Sequence, residues 1–160
     1  MNPQSFCTCW PGATVWLTGP PGAGTTTIAR ALAERLRERG RRVEVLDSDG
    51  TRALLSAGSS PADRDTGMRR IGLVAEVLAR NGIVVLVPVT ASRAAGREAV
   101  RRRHERSGTA HLEVRVVRDA VPARGLPAPP GPELRLSVRE RSAEESARAL
   151  HRLLAERELA

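Results

Sequence analysis

The chain has 160 residues, a formal net charge of +8 and no lysine, so arginine supplies all 26 of its basic side chains. Its length and its 41% apolar content are typical of one domain with its own core. No stretch approaches the roughly 18 apolar residues that a membrane-spanning helix needs, which excludes such a helix. The excess of positive charge favours anionic partners.

The first residues carry no targeting pattern. Residues 1–11 have neither the basic nor the apolar segment of a secretory signal, and we expect them to be flexible. Cys7 and Cys9 are the only cysteines, and with no third ligand nearby we expect two free thiols. Residues 12–160 are predicted to form a single domain, and the cysteine usage favours a cytoplasmic protein.

Strand and helix patterns alternate along the chain, which predicts an α/β fold with a parallel sheet. The first strand is expected at 13–18, and the first helix at 26–39 with Gly40 just after its end. Later strands are predicted at 43–46, 83–89, 112–117 and 134–136. Later helices are predicted at 51–56, at 61–80 with Ser60 as N-cap, at 93–106, and after a capping box at Ser142 and Glu145.

The most informative motif follows the first strand. Residues 19–26 match the phosphate loop G-x-x-x-x-G-K-[ST] except that Thr25 replaces the lysine. In such loops backbone N–H groups surround nucleotide phosphates, and the hydroxyl at the position of Thr26 binds Mg²⁺. ATP and Mg²⁺ are therefore the predicted cofactors. The predicted phosphate-binding residues are Gly19, Pro20, Pro21, Gly22, Ala23, Gly24, Thr25, Thr26 and Thr27.

The missing lysine changes the chemistry that the loop can supply. A lysine at this position would reach the terminal phosphates. Because the chain contains no lysine at all, any cation delivered to them must be an arginine, whose planar fork differs in shape from an ammonium group.

Two carboxylates follow the second predicted strand. Asp47 and Asp49 would lie at the carboxyl end of the sheet, where ligands of parallel α/β proteins bind. Carboxylates there can hold Mg²⁺ or orient a substrate hydroxyl for phosphoryl transfer, so both are candidate catalytic residues. The alternative is a turn in which an aspartate caps the short helix that follows.

Four segments together resemble adenylylsulfate kinases in order and spacing, over about residues 12–157. They are WLTGPPGAGTTTIARALAERL, VLDSDGTRALLS, PADRDTGMRRIGLVAEVLARNGIVVLV and PPGPELRL. The resemblance implies a P-loop NTPase fold, a three-layer sandwich with a five-stranded parallel sheet flanked by helices. It also implies transfer of the ATP γ-phosphate to the 3′-hydroxyl of adenosine 5′-phosphosulfate, or of a related nucleotide, in sulfate activation. Members of that family often form dimers, so a homodimer is a candidate assembly.

The resemblance also assigns roles to individual positions. Asp47 and Asp49 match an aspartate pair of the family, and Asp49 would be the partner of Mg²⁺ and of the acceptor hydroxyl. The substrate-binding residues that it implies are Arg52 and Arg64, for the phosphosulfate end, and Val89 and Thr90, for the adenosine.

Several positions depart from the same family pattern. Ser59 stands where a phenylalanine stacks on the substrate adenine, and Gly67 stands where an asparagine contacts the substrate. Members of the family have a basic lid segment that closes over ATP, and most of this segment is missing here. Arg118 and Asp119 are among the few residues of it that remain before a proline-rich segment. Losing one charge-stabilising donor costs about 10²–10³ in rate, so the sequence does not predict a fully efficient kinase.

Three hypotheses about function stay open at this point. The chain is an adenylylsulfate kinase-like phosphotransferase, weak or with an altered substrate, or a catalytically degenerate nucleotide-binding paralogue that acts through a partner. The third hypothesis is a basic nucleic-acid-binding module built on Arg101, Arg102, Arg103 and His104. It is disfavoured, because consecutive helical residues point in different directions and no aromatic residue interleaves them.

Overall fold

A five-stranded parallel sheet forms the centre of the domain. The computed structural model describes residues 10–47, 54–55, 58–90, 94–118 and 134–160. Its strands are β1 (Ala13–Gly19), β2 (Val43–Val45), β3 (Val84–Thr90), β4 (Ala110–Val117) and β5 (Leu134–Ser137). They lie in the order β2-β3-β1-β4-β5, with every pair of neighbours parallel. Their carboxyl ends therefore share one edge of the sheet.

Four longer helices flank this sheet within the described residues. They are α1 (Thr25–Glu38), α2 (Pro61–Arg80), α3 (Ala94–Ser107) and α4 (Ala143–Glu156). Two of them begin at capping boxes, in which the side chains of Ser60 and Asp63, and of Ser142 and Glu145, bond each other's backbone N–H groups. Gly40, just past α1, has φ 79, the left-handed conformation predicted for it.

The core divides into two halves, one on each face of the sheet. Side chains alternate along β1, so Val15 and Leu17 join the half that α1 and α4 cover, whereas Trp16 joins the half under α2 and α3. The strand β3 is buried from Val84 to Val89, as the continuous apolar run predicted. Helix, sheet and helix make three layers, and the predicted fold class is confirmed.

Element boundaries differ from the predictions by two residues or fewer. The predicted helix 51–56 is not included in this comparison, because the structure describes only Leu54 and Leu55 of it, both helical. The expectations about residues 1–9, with Cys7 and Cys9, and about the segment 119–133 lie outside the described residues. Among those described, no helix is both long enough and apolar enough to cross a membrane.

Candidate functional site

The phosphate loop connects the buried end of β1 to the start of α1. Gly22 and Gly24 have φ values of 75 and 80, which residues with a Cβ rarely adopt, and the Ala23 N–H donates to the Pro20 carbonyl at 3.0 Å. Gly19 is packed so tightly that a Cβ built on it would lie 3.0 Å from the Val116 carbonyl oxygen. The glycines of the motif are thus required by the backbone path of the loop.

The N-terminus of α1 is available to an anion. Gly24 is its N-cap residue, with no side chain to accept the first N–H groups, and no acidic residue lies in the first turn. These N–H groups and the positive end of the helix dipole favour bound phosphate. Thr26 is partly exposed and Thr27 is exposed, so both hydroxyls can be reached from outside.

Thr25 has a different environment from its two neighbours. Its side chain is 7% exposed, and its Cγ2 lies 3.2 Å from the position that a Cβ on Gly19 would take. The residue in the lysine position therefore packs against the base of the loop and does not extend over it.

The sheet register brings two other strand ends to the loop. Gly19 pairs with Thr90 of β3, and Thr18 pairs with Arg115 of β4. Thr90 is exposed at the end of its strand, whereas Val89 is 2% exposed and belongs to the core under α2 and α3. Of the two residues assigned to an adenosine pocket, Thr90 is thus the one whose side chain is accessible.

Asp47 lies just after β2 and forms an ion pair with α1. The Arg30 Nη2 donates to Asp47 Oδ2 at 2.5 Å; the Arg30 side chain is exposed and the Asp47 side chain is partly exposed. This pair joins the end of β2 to the helix that begins at the phosphate loop. Its partner in the sequence motif, Asp49, lies outside the described residues, as does Arg52, so their assigned roles stay predictions.

Arg64 lies in the first turn of α2. Its backbone N–H donates to the Ser60 carbonyl at 3.0 Å, and its side-chain Nε donates to the Ser59 carbonyl at 3.3 Å. The exposed guanidinium therefore stays near Ser59, the position where the family pattern has an aromatic ring. Residues 91–93, which follow Thr90, are outside the described part of the chain.

The basic run on α3 is partly neutralised by its own helix. Arg101 pairs with Glu98 and Glu105, and Arg102 pairs with Glu98, all at 3.0 Å or less. His104 is fully buried and bonds to Thr14 of β1. The run therefore does not present a continuous basic strip.

Comparison with known proteins identifies the family. The model of the adenylylsulphate kinase family matches residues 11–122, which is more than half of the chain and includes the phosphate loop and both helices around β3. The chain belongs to the adenylylsulphate kinase family. The resemblance that the sequence motifs indicated is thus confirmed.

Individual relatives support this membership in the adenylylsulphate kinase family. A probable adenylyl-sulfate kinase of Synechocystis is 51% identical over 92 residues, which cover 56% of this chain and 52% of that protein. An adenylyl-sulfate kinase of Chloroflexus aurantiacus is 48% identical over 114 residues, covering 68% of this chain and 61% of that protein. The chain spans about half the length of the first curated relatives that it matches.

A solved structure of the family extends the match to most of the fold. The Mycobacterium tuberculosis APS kinase in complex with AMPPNP and APS aligns with a TM-score of 0.81 and 31% identity. The alignment covers 91% of this chain and 99% of that one. Family membership and the P-loop fold are therefore secure across the sheet and its flanking helices.

Some contacts at the site could not be read from the motifs. The Asp47 partner Arg30 has no motif of its own, and Arg118 was visible only as a remnant of the lid. Its guanidinium lies beside Gly22 of the phosphate loop. The absence of lysine was a signal that some arginine would approach the loop, but nothing in the local pattern indicated which one.

Proposed function

We propose that the chain is an ATP-dependent phosphotransferase of the adenylylsulfate kinase type. It transfers the γ-phosphate of ATP to the 3′-hydroxyl of adenosine 5′-phosphosulfate or of a related nucleotide. The observation that carries the proposal is the phosphate loop, with two glycines at positive φ and an uncapped helix N-terminus directly behind it. Family membership supplies the reaction type.

The loop fits the phosphates of a nucleotide in shape and charge. No side chain caps the first turn of α1 and no acidic residue lies in it, and Gly24 is exposed, with no atom beyond its chain neighbours within 4 Å of a Cβ built on it. An anion can therefore approach the backbone donors without displacing a protein group. Pro20, Pro21 and Gly22 are exposed along the same rim.

Thr26 is the described residue suited to hold Mg²⁺ with the nucleotide, and Asp49 is the second ligand in the proposal. The metal would neutralise charge on the phosphates during transfer. A hydroxyl together with nucleotide oxygens fits the preference of Mg²⁺ for few protein ligands.

The acceptor nucleotide is assigned to the neighbouring strand ends. Thr90 lies next to Gly19 in the register, and Arg64 projects an exposed guanidinium from the start of α2. In the proposal Arg64, with Arg52, binds the anionic end of the acceptor, while Thr90 lines its adenosine site and Val89 packs beneath it in the core. Asp47 and Asp49 orient the attacking hydroxyl. A cytoplasmic homodimer is the proposed assembly, because members of the family often form dimers.

A second candidate is a nucleotide-binding protein without transfer activity. The replacement of the lysine by Thr25 favours it, because a threonine side chain carries no charge to supply to the terminal phosphates. Ser59 also offers no ring for the acceptor base. The two candidates share nucleotide binding and differ in turnover, so one experiment separates them.

The test measures binding and transfer in the same preparation. The chain is mixed with ATP, Mg²⁺ and adenosine 5′-phosphosulfate, and phosphorylated acceptor is detected by mass spectrometry, while thermal unfolding reports nucleotide binding. Transfer supports the kinase. Stabilisation by ATP with no product, on this acceptor or on a panel of nucleosides and nucleotides, supports the second candidate.

The chain offers a matched pair of variants for this test. Gly24 and Gly40 have φ values of 80 and 79, and a Cβ built on either would have no atom within 4 Å beyond the adjacent residues of the chain. Gly24→Asp places a carboxylate at the loop, where it repels phosphate, and the control variant shares the strain of a side chain at this φ. Gly40→Asp makes the same change at the other end of α1. Nucleotide binding by Gly24→Asp equal to that of Gly40→Asp contradicts the proposed site.

A further inference from the structure

The phosphate loop of this chain needs a cation that its own sequence does not contain. Thr25, in the lysine position, is buried and packs against Gly19. No lysine occurs anywhere in the chain, so the charge must come from an arginine on another element. The question is which arginine the fold brings to the loop.

Arg118 lies at the loop in the structure. It is exposed and follows directly after β4. Its Nη2 and Cζ lie 3.6 Å and 3.9 Å from the position that a Cβ on Gly22 would take, and apart from Gly22 and its two chain neighbours no other described residue has an atom within 4 Å of that position. The guanidinium therefore covers the central glycine of the phosphate loop.

The sheet explains how this residue arrives there. β4 is the neighbour of β1, and the Arg115–Thr18 pair is the last in their register. Adjacent parallel strands are about 4.8 Å apart, so the chain leaving β4 runs beside the first half of the loop leaving β1. Three residues beyond Arg115, an arginine side chain needs only to turn across this gap to reach Gly22.

Among the described residues, the other arginines near the site are held by other groups or are partly buried. Arg30 is paired with Asp47, and the Arg64 Nε donates to the Ser59 carbonyl. Arg115 is half-buried on the α3 side of the sheet, beside Arg97. In the described part of the chain, by contrast, no hydrogen bond or ion pair holds the guanidinium of Arg118. Arg118 thus combines proximity to the loop with unused donors.

We propose that Arg118 supplies the positive charge over the phosphate loop and binds the terminal phosphate oxygens of a nucleoside triphosphate in place of the missing lysine. The proposal rests on the proposed function, since it requires a nucleotide in this loop. A guanidinium offers two parallel N–H donors to one phosphate group and keeps its charge at any working pH. Arg118 approaches from β4, across the loop, whereas a lysine at position 25 would approach from α1.

The test compares nucleotides that differ in phosphate number. Dissociation constants of AMP, ADP and AMPPNP are measured by calorimetry for the native chain, Arg118→Met and Arg118→Lys. Arg118→Met keeps an apolar stem without the charge. Because a charge-assisted contact is lost, we expect this variant to weaken AMPPNP binding by about tenfold or more. AMP binding should weaken much less. Arg118→Lys recovers part of the loss. The control is Arg152→Met, an exposed arginine of α4, which removes the same charge and should bind like the native chain.

A double variant tests the replacement itself. Thr25→Lys should restore more AMPPNP affinity in the Arg118→Met background than it adds to the native chain, because one cation then substitutes for the other. Equal AMPPNP binding by the native chain and Arg118→Met, or an equal loss for AMP and AMPPNP, would overturn the role of Arg118 and leave the proposed function intact. A native chain that binds none of the three nucleotides rejects the proposed function, and with it this role of Arg118.

Discussion

His111 should make the stability of this domain sensitive to mild acid. Burial, followed by the neighbouring charges of His104 and Arg101, lowers the pKa of His111 from 6.5 to about 3. Its ring lies between two others, 4.9 Å from the His104 ring and 6.2 Å from the Trp16 ring, measured between centroids. The folded protein therefore keeps His111 neutral at a pH where the unfolded chain protonates it.

The sign and size of the effect follow from proton linkage. Because the unfolded state binds more protons, the stabilisation is complete above pH 6.5 and is lost progressively as the pH falls towards 3. Each pH unit in this window lowers the unfolding free energy by about 1.4 kcal/mol, so at pH 5 this one residue lowers it by about 2 kcal/mol relative to neutral pH. Burial also lowers the pKa of His104, which adds a loss of the same sign.

The assay is urea unfolding near pH 7.5 and near pH 5, with the native chain and His111→Leu. The native chain should lose about 2 kcal/mol more unfolding free energy than the variant between the two conditions. His151→Gln is the control, since His151 is a partly exposed residue of α4 and should change the pH dependence less. An equal loss for the native chain and His111→Leu refutes the linkage argument.

Two further predictions concern the frame around the site. Glu113 and Arg97 form a buried ion pair at 2.9 Å, so Glu113→Ala should lower the unfolding free energy by about 3–5 kcal/mol. A double variant that also carries Arg97→Met should recover much of this loss, because no charge is then left buried without a partner. A loss below 1 kcal/mol for Glu113→Ala in chemical denaturation would contradict the prediction. Gly12→Ala should lower the unfolding free energy by about 3 kcal/mol and the melting temperature with it, because its Cβ would lie 2.0 Å from the Ala79 carbonyl oxygen. Gly96→Ala is the control, since the nearest atom to its Cβ would be 3.4 Å away and the melting temperature should stay nearly unchanged.

Local patterns were sufficient to predict most of the fold. The capping box at Ser142, the proline after Ser60 and the glycine after α1 each fix a helix end through nearby backbone groups, and the structure has all three. The continuous apolar run of β3 indicated a strand covered on both faces. Such signals act over a few residues, which is why sequence alone reveals them. The capping role of Asp63 was missed, although its spacing from Ser60 is the same as in the second box.

The candidate site was predictable only where one motif defines it. The phosphate loop and its position between β1 and α1 follow from residues 19–26, and the structure adds that Thr25 is buried while Thr26 and Thr27 are accessible. The expectation for Val89 and Thr90 could not distinguish a core side chain from an exposed one, because both lie at the same strand end. That difference arises from the helices packed on one face of β3.

By itself, the sequence determined that this protein has a P-loop kinase fold of the adenylylsulphate kinase family and that its loop lacks a lysine. Tertiary structure alone decided which residues meet at that loop. Arg118 follows Gly22 by almost a hundred positions, and His104 bonds Thr14 across 90. Both contacts exist because β4 and its helix lie beside β1 in the order β2-β3-β1-β4-β5. That order is set by how the apolar faces of all the elements pack together, which no short segment encodes.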